Sequence, residues 1–167
     1  MKGAIGNALI MNIVITFIVI FFSLLIGSMA FSKAYKVKKY LINQIDLYEK
    51  RGIMTFDSSD ITNPNYIRWN DETNEFLRKM GYHLATSNGG CERNEEEKKE
   101  QWIYSKEGQY DYCIFRKAQI YPSDENPTIE SKHYYKVRVY MKLDLPVIGD
   151  AIKLPITGET KSYTKYR

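Results

Sequence analysis

The sequence contains little of the side-chain chemistry that enzymes and metal centres use. Among its 167 residues only His83 and His133 are histidines, and only Cys91 and Cys113 are cysteines. No paired cysteines or His-Glu-x-x-His motif have metal-ligand spacing, and no glycine-rich phosphate loop precedes a helix. A cysteine and a histidine could supply a nucleophile and a base, but neither cysteine has an activating sequence context. We therefore expect no catalytic residue, metal, cofactor or small-molecule substrate.

Charge is absent from one end of the chain. No ionisable side chain occurs in residues 3–32, and residues 13–26 are almost wholly Ile, Val, Leu and Phe. A bilayer core of about 30 Å needs about 20 apolar helical residues, so residues 4–32 predict a transmembrane helix with the lipid bilayer as its partner. Lys2 is the only charged residue before residue 33. The rest of the chain has the other 23 of the 24 basic residues and all 20 acidic ones, which gives it a net charge of +3. That balance argues against nucleic acid as a partner.

Two kinds of processing fit the amino terminus. Lys2-Gly3 followed by Ala4 resembles the very short basic leader that prepilin peptidases remove, which makes residues 1–3 a leader cleaved between Gly3 and Ala4. The small residues Ser28 and Ala30 offer an alternative site for a signal peptidase. The apolar run is much longer than the usual 7 to 15 residues of a secretory signal, so we favour an uncleaved helix at that point.

The apolar run contains a few polar side chains. Polar groups in lipid prefer a partner helix, and each contributes about 0.6 to 2 kcal/mol when it finds one. In the alternative interpretation, the two asparagines lie at the headgroup level and bond to water or lipid. The candidate residues for helix packing in the membrane are Asn7, Asn12, Thr16 and Ser23.

The helix is predicted to continue beyond the membrane as an amphipathic segment over residues 33–52. Apolar residues recur there at spacings of three and four, which is the period of one helix face. Gly52 supplies a C-terminal cap. A single helix from about Ala4 to Arg51 would be about 70 Å long. The predicted stripe consists of Ala34, Val37, Leu41, Ile45 and Tyr48.

Residues 53–167 predict a small antiparallel sheet domain, which gives an α+β fold. A short helix is expected from Asn70 or Asp71 to Gly81, followed by a hairpin of residues 102–104 and 110–120. Apolar and polar residues alternate over 134–145, which predicts a strand with one buried face and one solvent-exposed face. Residues 152–166 predict an antiparallel strand beside it. We interpret Pro155 and Gly158 as strand irregularities. Residues 154–158 also match a five-residue sortase signal, but no apolar helix and basic tail follow them.

The two cysteines lie in this domain. If it is outside the cytoplasm, Cys91 and Cys113 could form a disulfide worth about 3 kcal/mol. Two unrelated thiols are the alternative. Counting positive charges beside the membrane places the domain in the cytoplasm instead. The lysines that favour this opposite topology are Lys33, Lys36, Lys38 and Lys39.

Taken together, these features resemble a type IV filament subunit. The helix exit at residues 32–38, with residues 145–149 and 158–160 near the end, is most similar to TadE-like minor pilins of tight-adherence systems. The resemblance implies a processed leader, an extracytoplasmic domain, and partners among other pilin-like subunits and the assembly machinery. Pilins usually carry Glu at the fifth mature position, where this chain has Ala8. The alternative is a membrane-tethered envelope accessory or binding module that does not enter a filament.

Overall fold

The computed structural model describes residues 2–53, 62–82, 102–104, 112–120, 131–145 and 149–165. Its helices are α1 (Lys2–Lys50) and α2 (Pro64–Lys79). Its strands are β1 (Trp102–Tyr104), β2 (Tyr112–Ile120), β3 (Ser131–Leu145), β4 (Gly149–Glu159) and β5 (Tyr163–Lys165). A long apolar helix followed by a small antiparallel sheet confirms the predicted α+β layout.

The single helix predicted from the sequence is present as α1. It has 49 residues and no break, which gives a length of about 74 Å at 1.5 Å per residue. Its C-terminus is closed by Gly52, whose φ of 63° is a left-handed conformation that suits glycine. Gly52 N donates to Glu49 O at 3.0 Å and Ile53 N donates to Tyr48 O at 3.1 Å. These two bonds form a Schellman motif, as the position of the glycine predicts.

The second helix begins six residues earlier than the predicted start at Asn70. Asn63 is its N-cap, and the Asn63 side chain accepts a hydrogen bond from Asn65 N at 2.9 Å. Pro64 occupies the first turn, where its missing N–H costs nothing. Asn and Pro favour turns and helix starts alike, so the sequence Asn-Pro-Asn does not by itself show that a helix begins here. The end at Gly81, with φ of 62°, agrees with the prediction.

The two helices run antiparallel along residues 33–50 of α1, which we call its outer half. The Tyr40 and Phe76 rings stack with centroids 3.7 Å apart, and Tyr48 Oη donates to Glu72 Oε2 at 3.4 Å. At the other end of α2, a Cβ built on Gly81 would lie 3.7 Å from Lys33 Nζ. The chain therefore leaves the tip of α1 and returns along it towards Lys33.

The described sheet has the order β1-β2-β3-β4, and β5 pairs with β3 beside β4. All pairings are antiparallel, so the predicted hairpin of β1 and β2 is confirmed. The predicted last strand is divided in two. Lys136 pairs with Glu159 and His133 pairs with Tyr163. Between these two pairs the chain that joins β4 to β5 has three residues, whereas β3 has two. Thr160 fills this bulge by donating its N–H to Tyr135 O and accepting from Tyr135 N, each at 2.9 Å.

The described irregularities therefore lie at Thr160 and between Leu143 and Leu145 of β3. Neither is at Pro155 or Gly158, both of which keep their register with β3. Pro155 is accommodated because β4 is the last strand in the described order. Gly158 has a different reason for being glycine. A Cβ there would lie 2.9 Å from both Ile42 Cδ1 and Lys38 Cδ, so its absence lets β4 approach α1 closely.

One hydrophobic core joins both helices to one face of the sheet. The predicted stripe on α1 supplies Ala34, Val37, Leu41 and Ile45, which are at most 1% exposed, while Tyr48 packs at the margin. Burying a Val, Leu or Ile side chain contributes about 1.5 to 3 kcal/mol, so this half of α1 is part of the folded domain. The other elements contribute Tyr66, Trp69, Leu77, Tyr82, Tyr112, Ile114, Tyr135, Val137, Val139 and Met141.

The opposite face of the sheet is more buried than the sequence predicted. Cys113, Phe115 and Tyr140 form a second buried cluster there, with exposures of 2%, 3% and 6%. Lys136 and Arg138 on the same face of β3 are half-buried. The expectation of one wet face on β3 is therefore wrong at Tyr140, where an aromatic residue packs against a neighbouring strand.

Candidate assembly site along the N-terminal helix

The inner part of α1 exposes a continuous apolar surface. The large apolar side chains from Leu9 to Phe31 that face outward are 43% to 69% exposed. The candidate span, Leu9–Lys50, reaches a mean hydropathy of 2.9 over a window that the domain does not bury. Soluble monomers rarely expose contiguous apolar patches beyond a few hundred Å². The length and composition of this helix are those of a membrane span.

Two of the predicted packing residues bond within their own helix. Thr16 Oγ1 donates to Asn12 O and Ser23 Oγ donates to Val19 O, both at 2.8 Å. This arrangement satisfies each hydroxyl in an apolar medium without a partner helix. The Asn12 side chain is exposed, and that of Asn7 lies outside the described side chains. The prediction that these four residues meet another helix stays a prediction.

The polar residues of the span share a face with the residues that pack on the domain. Thr16, Ser23, Ala34 and Leu41 follow one another at about two, three and two helical turns, because 3.6 residues make a turn, so they lie along one side of the helix. A shallow depression on this side is lined by Leu9, Asn12, Ile13, Thr16, Phe17 and Ile20. One face of α1 therefore packs on the sheet at its outer end and carries the small and polar side chains at its inner end.

The lysines beside the span also contact the domain. Lys38 Nζ lies 4.6 Å from the Tyr35 ring centroid, and its stem runs beside Gly158. The Tyr35 ring stacks in turn on Phe31, with centroids 6.3 Å apart. Exposed aromatic residues followed by lysine are typical of the membrane–water boundary. Lys38 therefore lies against β4 of the domain through its aliphatic stem.

A partly buried polar cluster joins the outer end of α1 to the sheet. The Tyr135 hydroxyl donates to Glu49, and the Tyr163 hydroxyl donates to Asp46. His133 Nε2 lies 3.6 Å from Glu49 Oε1, and the His133 side chain is 4% exposed. Burial, followed by the bond to Asp46 and its charge, raises the pKa of Tyr163 above its usual value. The cluster was not predicted, because only the register of β3 and β5 brings these residues to the helix.

The candidate nucleophile and base do not meet among the described residues. Cys113 belongs to the cluster facing away from the helices, whereas His133 is on the helix-facing side with Tyr135. The described residues include no free thiol, and Cys91 and His83 lie outside them. The Cys91–Cys113 disulfide therefore stays a prediction.

In the part of the chain that the structure describes, no three His, Cys, Asp or Glu residues are placed to hold a metal. The candidate site is thus a surface, formed by an exposed apolar helix that continues into a buried one. No family model, curated protein or solved structure matches the chain.

Proposed function

We propose that the chain is a membrane-anchored, minor pilin-like subunit that takes part in assembling a type IV (Tad-like) filament through helix–helix packing. The observation that supports this function most strongly is the division of α1. Its inner half offers apolar surface to lipid, whereas its outer half is buried in the domain. Such a helix can hold a subunit in the bilayer and later pack against other helices without unfolding the domain.

The polar face of the span supports helix packing as the mode of association. Asn12, Thr16 and Ser23 interrupt an otherwise apolar surface on one side of α1. Small and polar residues are enriched where membrane helices meet, because they allow close approach and hydrogen bonding. We place the domain outside the cytoplasm, where a Cys91–Cys113 disulfide would persist. Ala8 stands where pilins carry a carboxylate, which favours a minor or priming role.

Processing of the leader tests the proposal. Intact-mass measurement of the protein purified from membranes should show the loss of Met1, Lys2 and Gly3. A matched Gly3→Leu variant should keep its full mass, because prepilin peptidases require the small residue before the cut. An unprocessed wild-type chain would favour an envelope module that never enters a filament.

Photo-crosslinking tests the packing face. A photoreactive residue placed at Thr16 should crosslink to another membrane helix, whereas the same residue at Ile18, on the opposite side of α1, should crosslink mainly to lipid. Equal yields at both positions would argue that α1 is only an anchor.

A further inference from the structure

The basic residues of the two helices are concentrated where the domain meets the apolar span. Residues 33–39 of α1 include four lysines, residues 76–81 at the end of α2 include Arg78 and Lys79, and neither segment has an acidic residue. The two segments are neighbours, because a Cβ built on Gly81 would lie 3.7 Å from Lys33 Nζ. The acidic residues of both helices all lie nearer the C-terminal end of α1. The described helices therefore present a positive charge beside the span.

Three of these cations have a structural explanation within the domain. Lys38 lies against β4 and its Nζ is 4.6 Å from the centroid of the Tyr35 ring. Lys33 lies beside the C-terminus of α2, where a positive charge complements the helix dipole. Lys79 Nζ forms an ion pair with Glu75 Oε1 at 2.7 Å. These contacts account for Lys33, Lys38 and Lys79 without any external partner.

Lys36 and Lys39 have no such explanation. Both side chains are exposed, and neither makes an ion pair or a hydrogen bond with a residue in the described part of the chain. They lie on the side of α1 that faces away from the buried stripe, which includes Ala34 and Val37 at this level. Exposed lysines are usually only a solvated surface. The position of these two along α1 gives them a more specific partner.

The level of both lysines is that of the lipid headgroups when the apolar part of α1 spans a bilayer. Lys36 is four residues and Lys39 seven residues beyond Ser32, where the uncharged segment ends, or about 6 and 10 Å along the axis. Headgroups extend about 5 to 8 Å beyond the hydrocarbon core on each side. The Cα–Cβ bonds of a helix tilt towards its N-terminus, which for α1 is the direction of the span. The exposed ring of Tyr35 lies between these levels, as is typical of the membrane boundary.

We propose that Lys36 and Lys39 bind the phosphate groups of anionic phospholipids in the leaflet beside the domain. This contact rests on the proposed membrane span of α1 and adds to it a class of lipid. Each lysine near an anionic surface strengthens attraction to it about fivefold. The contact also gives the two lysines a function on the outer side of the membrane, where a count of positive charges does not favour them.

Spin-labelled lipid tests the contact on the full chain. The protein is reconstituted in phosphatidylcholine bilayers with a trace of spin-labelled phosphatidylglycerol or phosphatidylcholine, and electron paramagnetic resonance measures how much of each label the protein immobilises. We expect the parent chain to prefer phosphatidylglycerol, and K36Q/K39Q to lower this preference about fivefold or more. The matched variant K50Q/R51Q removes the same charge about 21 Å further along α1, beyond two Debye lengths in 0.1 M salt, and should leave the preference unchanged.

Two controls establish that charge is responsible. K36R/K39R retains both positive charges and should keep the preference of the parent chain. Raising the salt concentration to 1 M shortens the Debye length to about 3 Å and should reduce the preference. A preference that K36R/K39R loses, or that 1 M salt leaves unchanged, would contradict an electrostatic contact with headgroups.

The remaining outcomes separate this contact from the span on which it rests. Equal immobilisation of both labels by the parent chain, or an equal loss of preference in K36Q/K39Q and K50Q/R51Q, would overturn the headgroup contact and leave the span intact. Absence of immobilised lipid of either kind would overturn both. If the parent chain shows no preference and K36Q/K39Q loses the crosslink at Thr16, the lysines contact a neighbouring subunit and the lipid contact is wrong.

Discussion

Single residues determine how closely the sheet approaches α1. Gly158 is the clearest case, because its missing side chain leaves room for Ile42 and Lys38. Replacing it with valine should force these side chains or β4 to move, and overpacking of this kind costs about 1 to 3 kcal/mol. We expect Gly158→Val to lower the free energy of unfolding by this amount in denaturant titrations. The matched variant Thr157→Val, on an exposed position of the same strand, should change it little.

If Gly158→Val were as stable as the parent chain, β4 would not lie against α1 as described. The comparison also tests the interpretation of this glycine. From the sequence alone it was interpreted as a strand irregularity, since Gly weakens strands in general. The side chains that crowd this position, Lys38 and Ile42, are more than a hundred residues away, and no local pattern reveals them.

Tyr163 predicts a dependence of stability on alkaline pH. Its pKa in the folded chain is raised, first by burial and then by Asp46, whereas an unfolded tyrosine titrates near pH 10. The unfolded state therefore loses its proton first. The stabilising contribution is complete below about pH 10 and is lost as the pH rises through the folded pKa.

We expect the parent chain to lose stability above about pH 10 more steeply than Tyr163→Phe, which has no phenol to ionise at this position. Thermal unfolding followed between pH 8 and pH 12 checks this difference in slope. Tyr66, whose pKa burial raises to about 12, remains in both proteins and contributes equally to both curves. Identical slopes for the two chains would contradict the partly buried contact between Tyr163 and Asp46.

At the scale of elements, α2 depends on its N-cap. The Asn63 side chain accepts the Asn65 N–H, and losing such a cap costs about 0.5 to 2 kcal/mol. Asn63→Ala should therefore lower the free energy of unfolding within that range, as measured by chemical denaturation. Thr62→Ala, at the exposed preceding position, is the matched control. An equal effect of both substitutions would mean that α2 does not begin at Pro64.

Elements with a strong period were predictable and their junctions were not. The stripe on α1 and the alternation in β3 follow from a single periodic face, and both are present except at the buried Tyr140. The start of α2 and the division of β4 from β5 depend on Asn63 and Thr160, whose side chains bond to backbone groups. Such short polar residues serve turns, caps and bulges alike, so their sequence does not distinguish among these structures.

For the whole molecule, the sequence predicted an anchor joined to a sheet domain but not how the two are fastened. The cluster of Asp46, Glu49, His133, Tyr135 and Tyr163 forms only when β3 and β5 reach the outer end of α1. The candidate assembly face was partly predictable, because its polar residues stand out in an apolar run. That this face continues into the buried stripe could be seen only in the structure, because it depends on α1 being one unbroken helix.

We propose that α1 is one helix with two roles, because its N-terminal part anchors the chain in lipid and its C-terminal part belongs to the core of the domain. Two truncations separate these roles, because residues 33–167 keep the buried stripe and residues 53–167 lose it. Removing Val37, Leu41 and Ile45 costs about 1.5 to 3 kcal/mol each, which is comparable to the total stability of a typical domain.

The direct measurement is thermal unfolding of both truncated chains by circular dichroism, without detergent. We expect residues 33–167 to be soluble and to unfold cooperatively, and residues 53–167 to show no cooperative transition. Cooperative folding of residues 53–167, or failure of residues 33–167 to fold, would contradict the division of α1 between membrane and core.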